Sequence, residues 1–391
     1  MTSSFDSGSA SADGPDRSPH SPRPEARQGP EAGQGPGARH GARTPRGAGE
    51  RQGWLRDRAR GCLLAGAVGD ALGGPVEFMP LQAIRSSYPM GVDLASGAWV
   101  TDDTQMTLFT ADGLIRALLA GVPPERLGES TQLWQAYQRW LLTQQSAPSG
   151  EDGDWLLSHP ALWQVRAPGN TCLSALRGKR PGRTSEPVNN SKGCGGVMRA
   201  APAGFLPDPS QAYRVGCDLA AMTHGHPSGW IAGGALALLA HQVTLGGQTL
   251  LDAVDTVLAT VFREPSGGEV ADAVSAAARA ARQTPRDVST VVRLGEGWVA
   301  EEALAIAVYA ALSYPDDILA ALRLAVEHGG DSDSTGAIAG NILGAAQGVG
   351  AVPARWLDRV ELADVITAVA DDLAAACVGD LDTVASRYGA G

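Results

Sequence analysis

Several things are scarce in this 391-residue chain. Aromatic residues make up only 5% of it, and the five cysteines (Cys62, Cys172, Cys194, Cys217, Cys377) form no CxxC pair. An odd, scattered set of thiols points to reduced cysteines, not to a disulfide framework or a zinc site. No run of about 18 apolar residues occurs, which excludes an apparent membrane-spanning helix. The first thirty or so residues hold no apolar stretch of signal-peptide type, so the expected location is cytoplasmic. Basic residues are also short: 31 against 42 acidic ones, for a net charge of −11. That balance argues against a general nucleic-acid-binding surface. β-Branched alternation is rare, which disfavours strands.

Residues 1–50 carry seven prolines and nine glycines, with Met1 and Phe5 as the only large apolar side chains. Such a segment cannot bury enough apolar area to offset its chain entropy and is expected to be a disordered Pro/Gly-rich tail. From there to residue 391 the pattern is helical. A helix is expected over 54–72, and apolar residues recur at spacings of three and four in 107–120, 131–142, 211–222, 230–243, 249–262, 301–312, 316–327 and 360–376. Alanine is abundant and no fixed-period repeat occurs. One all-α domain over 51–391 is the expectation.

The chemistry concentrates in two acidic segments far apart in the chain. Thr101-Asp102-Asp103-Thr104 opens an apolar helix, where one such residue would suffice as a cap. His328-Gly329-Gly330-Asp331-Ser332-Asp333-Ser334-Thr335-Gly336 precedes a helix of small residues. Asp-x-Asp with a neighbouring hydroxyl is an all-oxygen donor set suited to Mg²⁺, Mn²⁺ or Ca²⁺, and capping is the alternative. If both helix starts face one cleft, four like charges (Asp102, Asp103, Asp331, Asp333) meet there with the hydroxyls of Thr101 and Ser334. Two divalent cations would neutralise them. No GxxxxGKS/T, HExxH or GxSxG pattern is present.

With three further motifs, these segments make the chain resemble the ADP-ribosylglycohydrolase family. The matches run in order: Gly61-Cys62-Leu63-Leu64-Ala65-Gly66-Ala67-Val68-Gly69-Asp70-Ala71-Leu72-Gly73, Thr101-Asp102-Asp103-Thr104, Gly193-Cys194-Gly195-Gly196-Val197-Met198-Arg199, Thr223-His224-Gly225-His226-Pro227 and Gly329 to Gly336. The resemblance spans roughly residues 54–357. It implies a compact many-helix bundle with a binuclear Mg²⁺ (or Mn²⁺) cleft whose ligands would be Thr101, Asp102, Asp103, Asp331, Asp333 and Ser334. It also implies hydrolysis at the anomeric carbon of an ADP-ribose conjugate, with arginine-linked substrates preferred. Asp102, Asp103 and Glu77 are the catalytic candidates. Serine-linked or O-acyl ADP-ribose is the alternative substrate, and a non-catalytic ADP-ribose-binding or crystallin-like protein is the alternative class. The partner would be an ADP-ribosylated protein or small conjugate. Nothing requires a nucleic acid, although an ADP-ribosylated one stays open.

The remaining candidates each have two readings. Backbone N–H groups of Gly193, Cys194, Gly195 and Gly196 can cradle a diphosphate, or the turn can serve packing alone. Arg199, one turn into the helix expected after it, can pair with phosphate or with a core carboxylate. His224 and His226 can meet phosphate or ribose, or only start the helix at Pro227. Asp70 can cap a helix or hold a metal ligand in place, and His328 is expected behind the ligands. Asn170 can cap or line the pocket. Glu77 is either a surface acid or, by the resemblance, a mobile acid at the cleft mouth.

Overall fold

In the computed structural model, the described residues are 47–145 and 154–389. The expected tail falls outside them up to residue 46, and the first helix already begins at Ala48. Among the described residues the fold is all-α. The helices are α1 (Ala48–Gly73), α2 (Leu81–Ser87), α3 (Asp102–Leu119), α4 (Thr131–Thr143), α5 (Asn170–Leu176), α6 (Pro209–Ala221), α7 (Pro227–Thr244) and α8 (Leu250–Val261). They continue with α9 (Gly268–Gln283), α10 (Val288–Leu294), α11 (Ala300–Ser313), α12 (Ile318–Val326), α13 (Ser332–Gln347), α14 (Ala354–Leu357), α15 (Ala363–Cys377) and α16 (Leu381–Tyr388). Among the described residues, extended pairing is limited to two isolated bridges, Ala98 with Val360 and Gly193 with Val299.

All eight periodic segments are helices: α3, α4, α6, α7, α8, α11, α12 and α15. Capping side chains explain many of their starts. Thr101, Asp208, Thr249 and Asp317 each accept a hydrogen bond from a first-turn N–H. α3 starts earlier than its apolar stripe because its first turn is polar yet buried. The amphipathic α9 was not expected. Its buried face is Val270, Ala271, Val274, Ala277 and Ala278, and alanine marks a face weakly. No α-helix follows the Gly193–Gly196 turn. Cys194–Gly196 and Ala201–Phe205 are single 3-10 turns, and the chain stays irregular until α6.

One packing contact sets the geometry of the site. α1 and α13 lie against each other backbone to backbone along Gly61, Ala65, Gly69 and Gly73 of α1 and Gly336, Gly340 and Gly344 of α13. A Cβ on Gly69 would lie 2.0 Å from Gly336 O, one on Gly340 2.0 Å from Ala65 O, and one on Gly344 2.0 Å from Gly61 O. Only glycine permits such an approach. Glycines four apart share a helix face, so the contact runs along α13 and the second half of α1. At its end, a Cβ on Gly73 would lie 2.2 Å from Ser332 O, which places the last turn of α1 against the first turn of α13.

Candidate metal centre and cleft

Asp70, near the end of α1, receives the start of α3. Its carboxylate accepts the Thr101 N–H at 3.0 Å, the Thr104 N–H at 3.1 Å and the Thr104 hydroxyl. Of its two expected roles, Asp70 therefore holds the Thr101–Thr104 segment in place. Thr101 caps α3 by accepting the Asp103 N–H at 3.3 Å. Asp331 caps α13, accepting the Ser334 N–H at 3.3 Å. Because α1 touches both helix starts, the two acidic segments meet.

They meet at a cavity of about 350 Å³ lined by Glu77, Asp102, Asp103, Asp331, Asp333 and Ser334 on one side. The four aspartates are each 4% exposed or less. Burial raises every carboxyl here, and neighbouring carboxylates, chiefly Asp333, add to the rise at Asp70, Glu77, Asp102, Asp103 and Asp331. Asp70 is pushed up to about 7 and Glu77 to about 8. Asp103 Oδ1 is buried with no hydrogen-bond partner. Ligand atoms of Glu77, Asp331 and Asp333 lie within 4.8 Å of one another. Oxygen donors this close, with an orphaned carboxylate oxygen beside them, fit hard divalent cations. Glu77 thus joins the acidic cluster itself, and the reading of it as an ordinary surface acid falls away.

The opposite wall is neutral. It comprises Ala167 to Cys172, with Asn170 in the first turn of α5, and Gly193, Cys194 and Gly195 with His224. Two N–H groups of the glycine turn are already engaged: Gly193 donates to Ser191 Oγ at 3.3 Å and Cys194 to Trp298 O at 3.2 Å. The anion cradle is accordingly narrower than the residue types suggest. The Cys194 thiol donates to Asp331 Oδ2 at 2.7 Å, tying this wall to the acidic one.

His224 is 1% exposed, and burial, aided by the Arg199 charge, pushes it down to about 3. It is a neutral imidazole at working pH. Its Nδ1 lies 2.8 Å from Thr223 Oγ1, which accepts an Arg199 N–H at 2.6 Å. With the Thr223 hydroxyl hydrogen turned to Nδ1, the imidazole proton sits on Nε2, beside Gly193 and Gly195.

Three expected ligand contacts are corrected. Arg199 is fully buried and does not line the cavity. It donates to Tyr137 Oη at 3.1 Å, Gly195 O at 2.7 Å and Leu219 O at 3.1 Å as well as to Thr223, so it pins the glycine turn to α4 and α6. Gly196 packs against Ala220 behind the turn. His226 is the α7 cap, its Nδ1 accepting the Ser228 N–H at 3.2 Å. His328 lies behind the acidic loop, as expected, with Nε2 2.9 Å from Thr335 Oγ1.

Residue-type reasoning missed Phe78, Met198 and Trp298, all of which line the cavity. The Gly295-Glu296-Gly297-Trp298 loop, with positive φ at both glycines, was the available signal for the last. A larger cavity of about 860 Å³ lies at the other end of α1, around Trp54, Phe205, Leu245 and Cys377; Asp380 is the one acid among the described residues lining it.

A family model described as ADP-ribosylglycohydrolase matches residues 52–383. The chain is 27% identical to the ADP-ribosyl-(dinitrogen reductase) glycohydrolase of Rhodospirillum rubrum, over 79% of this chain and 92% of that one. It is 25% identical to the ADP-ribosylarginine hydrolase Tri1 of Pseudomonas putida (strain GB-1), over 81% and 78%. A solved structure titled ADP-ribosylglycohydrolase-related protein complex superposes with a TM-score of 0.55 at 25% identity, covering 82% of this chain and 98% of that one.

Proposed function

The chain belongs to the ADP-ribosylglycohydrolase family and is an enzyme of that class, and from this premise we propose that it removes ADP-ribose from arginine-linked conjugates with the help of two Mg²⁺ ions. Mn²⁺ is the alternative metal. The observation that carries the reading is the buried carboxylate cluster facing a neutral wall across one cavity. Thr101, Asp102, Asp103, Asp331, Asp333 and Ser334 would hold the ions, with Glu77 close enough to take part. Divalent ions bound there supply Lewis acidity toward ribose oxygens and cancel the charge of the cluster.

The chain's own residues divide the remaining work. Asp103 takes the proton of the attacking water through the carboxylate oxygen left free of the ions, as the anomeric C–N bond breaks at an oxocarbenium-like carbon, and the departing guanidine carries that proton away. Asp102 is steadied by the Gly169 N–H at 3.2 Å, which couples the acidic cluster to the loop before α5. His224 Nε2–H and the neutral loops take the ADP-ribose side, where a carboxylate would repel the diphosphate. The two relatives named above, whose titles specify ADP-ribosyl-dinitrogen reductase and ADP-ribosylarginine, support a protein-linked and arginine-linked substrate.

The test is release of ADP-ribose from an arginine-ADP-ribosylated protein with Mg²⁺, with Mn²⁺ and with chelator, for wild type, Asp102→Asn and Asp333→Asn. Metal-dependent release lost in both variants is the expected result. Release from serine-linked or O-acyl conjugates alone would move the assignment to O-linked substrates. Tight ADP-ribose binding without any turnover would move it to a binding protein.

A further inference from the structure

An aromatic pair, Phe78 and Trp298, forms part of the rim of the cleft. Phe78 follows Glu77 directly, and its ring stacks on Trp298 with centroids 5.2 Å apart and planes at 21°. Phe78 is nevertheless 70% exposed. One face of the ring packs on the indole, and the other is open at the cavity mouth. Its φ of 65° is also unfavourable for a side chain of this bulk. An open aromatic face and a strained backbone on one cavity-lining residue are costs that a ligand-binding role explains.

The rim is anchored to carboxylates from two directions. Glu77 lies in the tight cluster with Asp331 and Asp333. Trp298 follows Gly297, where a Cβ would come within 3.4 Å of the Asp331 side chain, and Asp331 N–H donates to Glu296 O at 2.8 Å. None of the described residues lining the cavity is Lys or Arg. With the ions of the proposed centre on the aspartates, the mouth still presents an open π face beside Glu77, and no lysine or arginine of the lining covers it. A planar, weakly hydrated cation with N–H groups at its edge can lie flat on the ring and reach Glu77 at once, whereas a compact, strongly hydrated ammonium meets the ring as a point charge and cannot stack on it.

We propose that Phe78, backed by Trp298, is the specificity-determining surface for the acceptor: it takes the guanidinium of an ADP-ribosylated arginine flat against its open face, with Glu77 at the guanidinium edge. This rests on the hydrolase reading above and adds where the acceptor is recognised. A serine or acyl acceptor has no flat cation for the ring to receive.

The experiment compares kcat/KM on arginine-linked and O-acyl-linked ADP-ribose for wild type, Phe78→Ala, Phe78→Leu and Phe78→Tyr, alongside inhibition by free ADP-ribose. Loss of a cation–π contact should lower the arginine-to-O-linked ratio about 3- to 10-fold in Phe78→Ala and Phe78→Leu, with Phe78→Tyr near wild type. Inhibition by ADP-ribose should stay within twofold throughout. An unchanged ratio overturns the proposal, as does ADP-ribose inhibition weakening in step, which would put the ring against ADP-ribose itself. If wild type leaves arginine-linked ADP-ribose intact, the arginine reading and this proposal fall together; an unchanged ratio on substrates that wild type does cleave removes only the role of Phe78.

Discussion

The glycine contact between α1 and α13 makes a stability prediction with its own control. In Gly340→Ala the new methyl would lie 2.0 Å from Ala65 O and 2.4 Å from its carbonyl carbon. Ordinary contact between carbon atoms needs about 3.5 Å. The obstacle is backbone, so no side chain can rotate away and the helices must part by roughly 1 to 1.5 Å. Overpacking costs about 1–3 kcal/mol, and a rigid neighbour puts this case at the upper end. Alanine returns about 1 kcal/mol through helix propensity. The net expectation is destabilisation by about 2 kcal/mol. Gly53 lies in α1 too, with nothing within 4 Å of its would-be Cβ. Gly53→Ala should gain about 0.5–1 kcal/mol. Urea unfolding of both variants and wild type reads the two signs directly. Gly340→Ala as stable as wild type would refute the packing argument, and a destabilised Gly53→Ala would refute the propensity term. Gly73→Ala, against Ser332 O, should cost more in ADP-ribose release than in stability, because it shifts the acidic loop itself.

Three further expectations follow from the site and its surroundings. Asp103→Asn should abolish release and narrow the gap in Tm between metal-loaded and chelated protein, since it removes one charge from a self-repelling buried cluster; an undiminished gap in scanning calorimetry counts against a shared cluster. Thr223→Val cuts the link between Arg199 and His224, and titration calorimetry should find ADP-ribose bound about fivefold more weakly, the loss of roughly 1 kcal/mol; wild-type affinity would show that the tautomer is set elsewhere. Asp218 is raised to about 6 by burial and then by Glu129, against the pull of Arg183 and Arg214. A raised acid holds its proton more tightly in the folded state, so its contribution is favourable at low pH and stability is lost as pH rises from about 4 through 6. Asp218→Asn should flatten that slope and gain about 1–2 kcal/mol at pH 8; parallel pH profiles for variant and wild type in denaturant melts would refute it.

The helices were legible because a 3.6-residue period with large apolar side chains survives in any one-sided helix, as α4 and α8 show. α7 was legible by a different route, buried nearly all round and bounded by Pro227. α9 escaped because its inner face is mostly alanine. Within the site, the acidic segments stood out because four oxygen-bearing side chains in a row exceed what capping needs. Arg199 could not be placed from its type, since a guanidinium suits a phosphate or a set of carbonyls equally well and only the fold supplies the carbonyls. The stacking of Phe78 on Trp298 joins segments far apart in the chain, and no local pattern encodes such a meeting.

The pairing of α1 with α13 also bears on how the protein is made. α1 is the first described helix to leave the ribosome, yet its glycine-lined face has no partner until residues 332–347 are synthesised. Contacts of such long sequence separation form slowly and leave apolar surface uncovered in the meantime. The glycine-lined face of α1 is therefore uncovered in the emerging chain until α13 is made. Asp70 stays apart from Asp331 and Asp333 over the same interval, so the acidic cluster is complete only once α13 has docked, and a chain released before that point cannot assemble it.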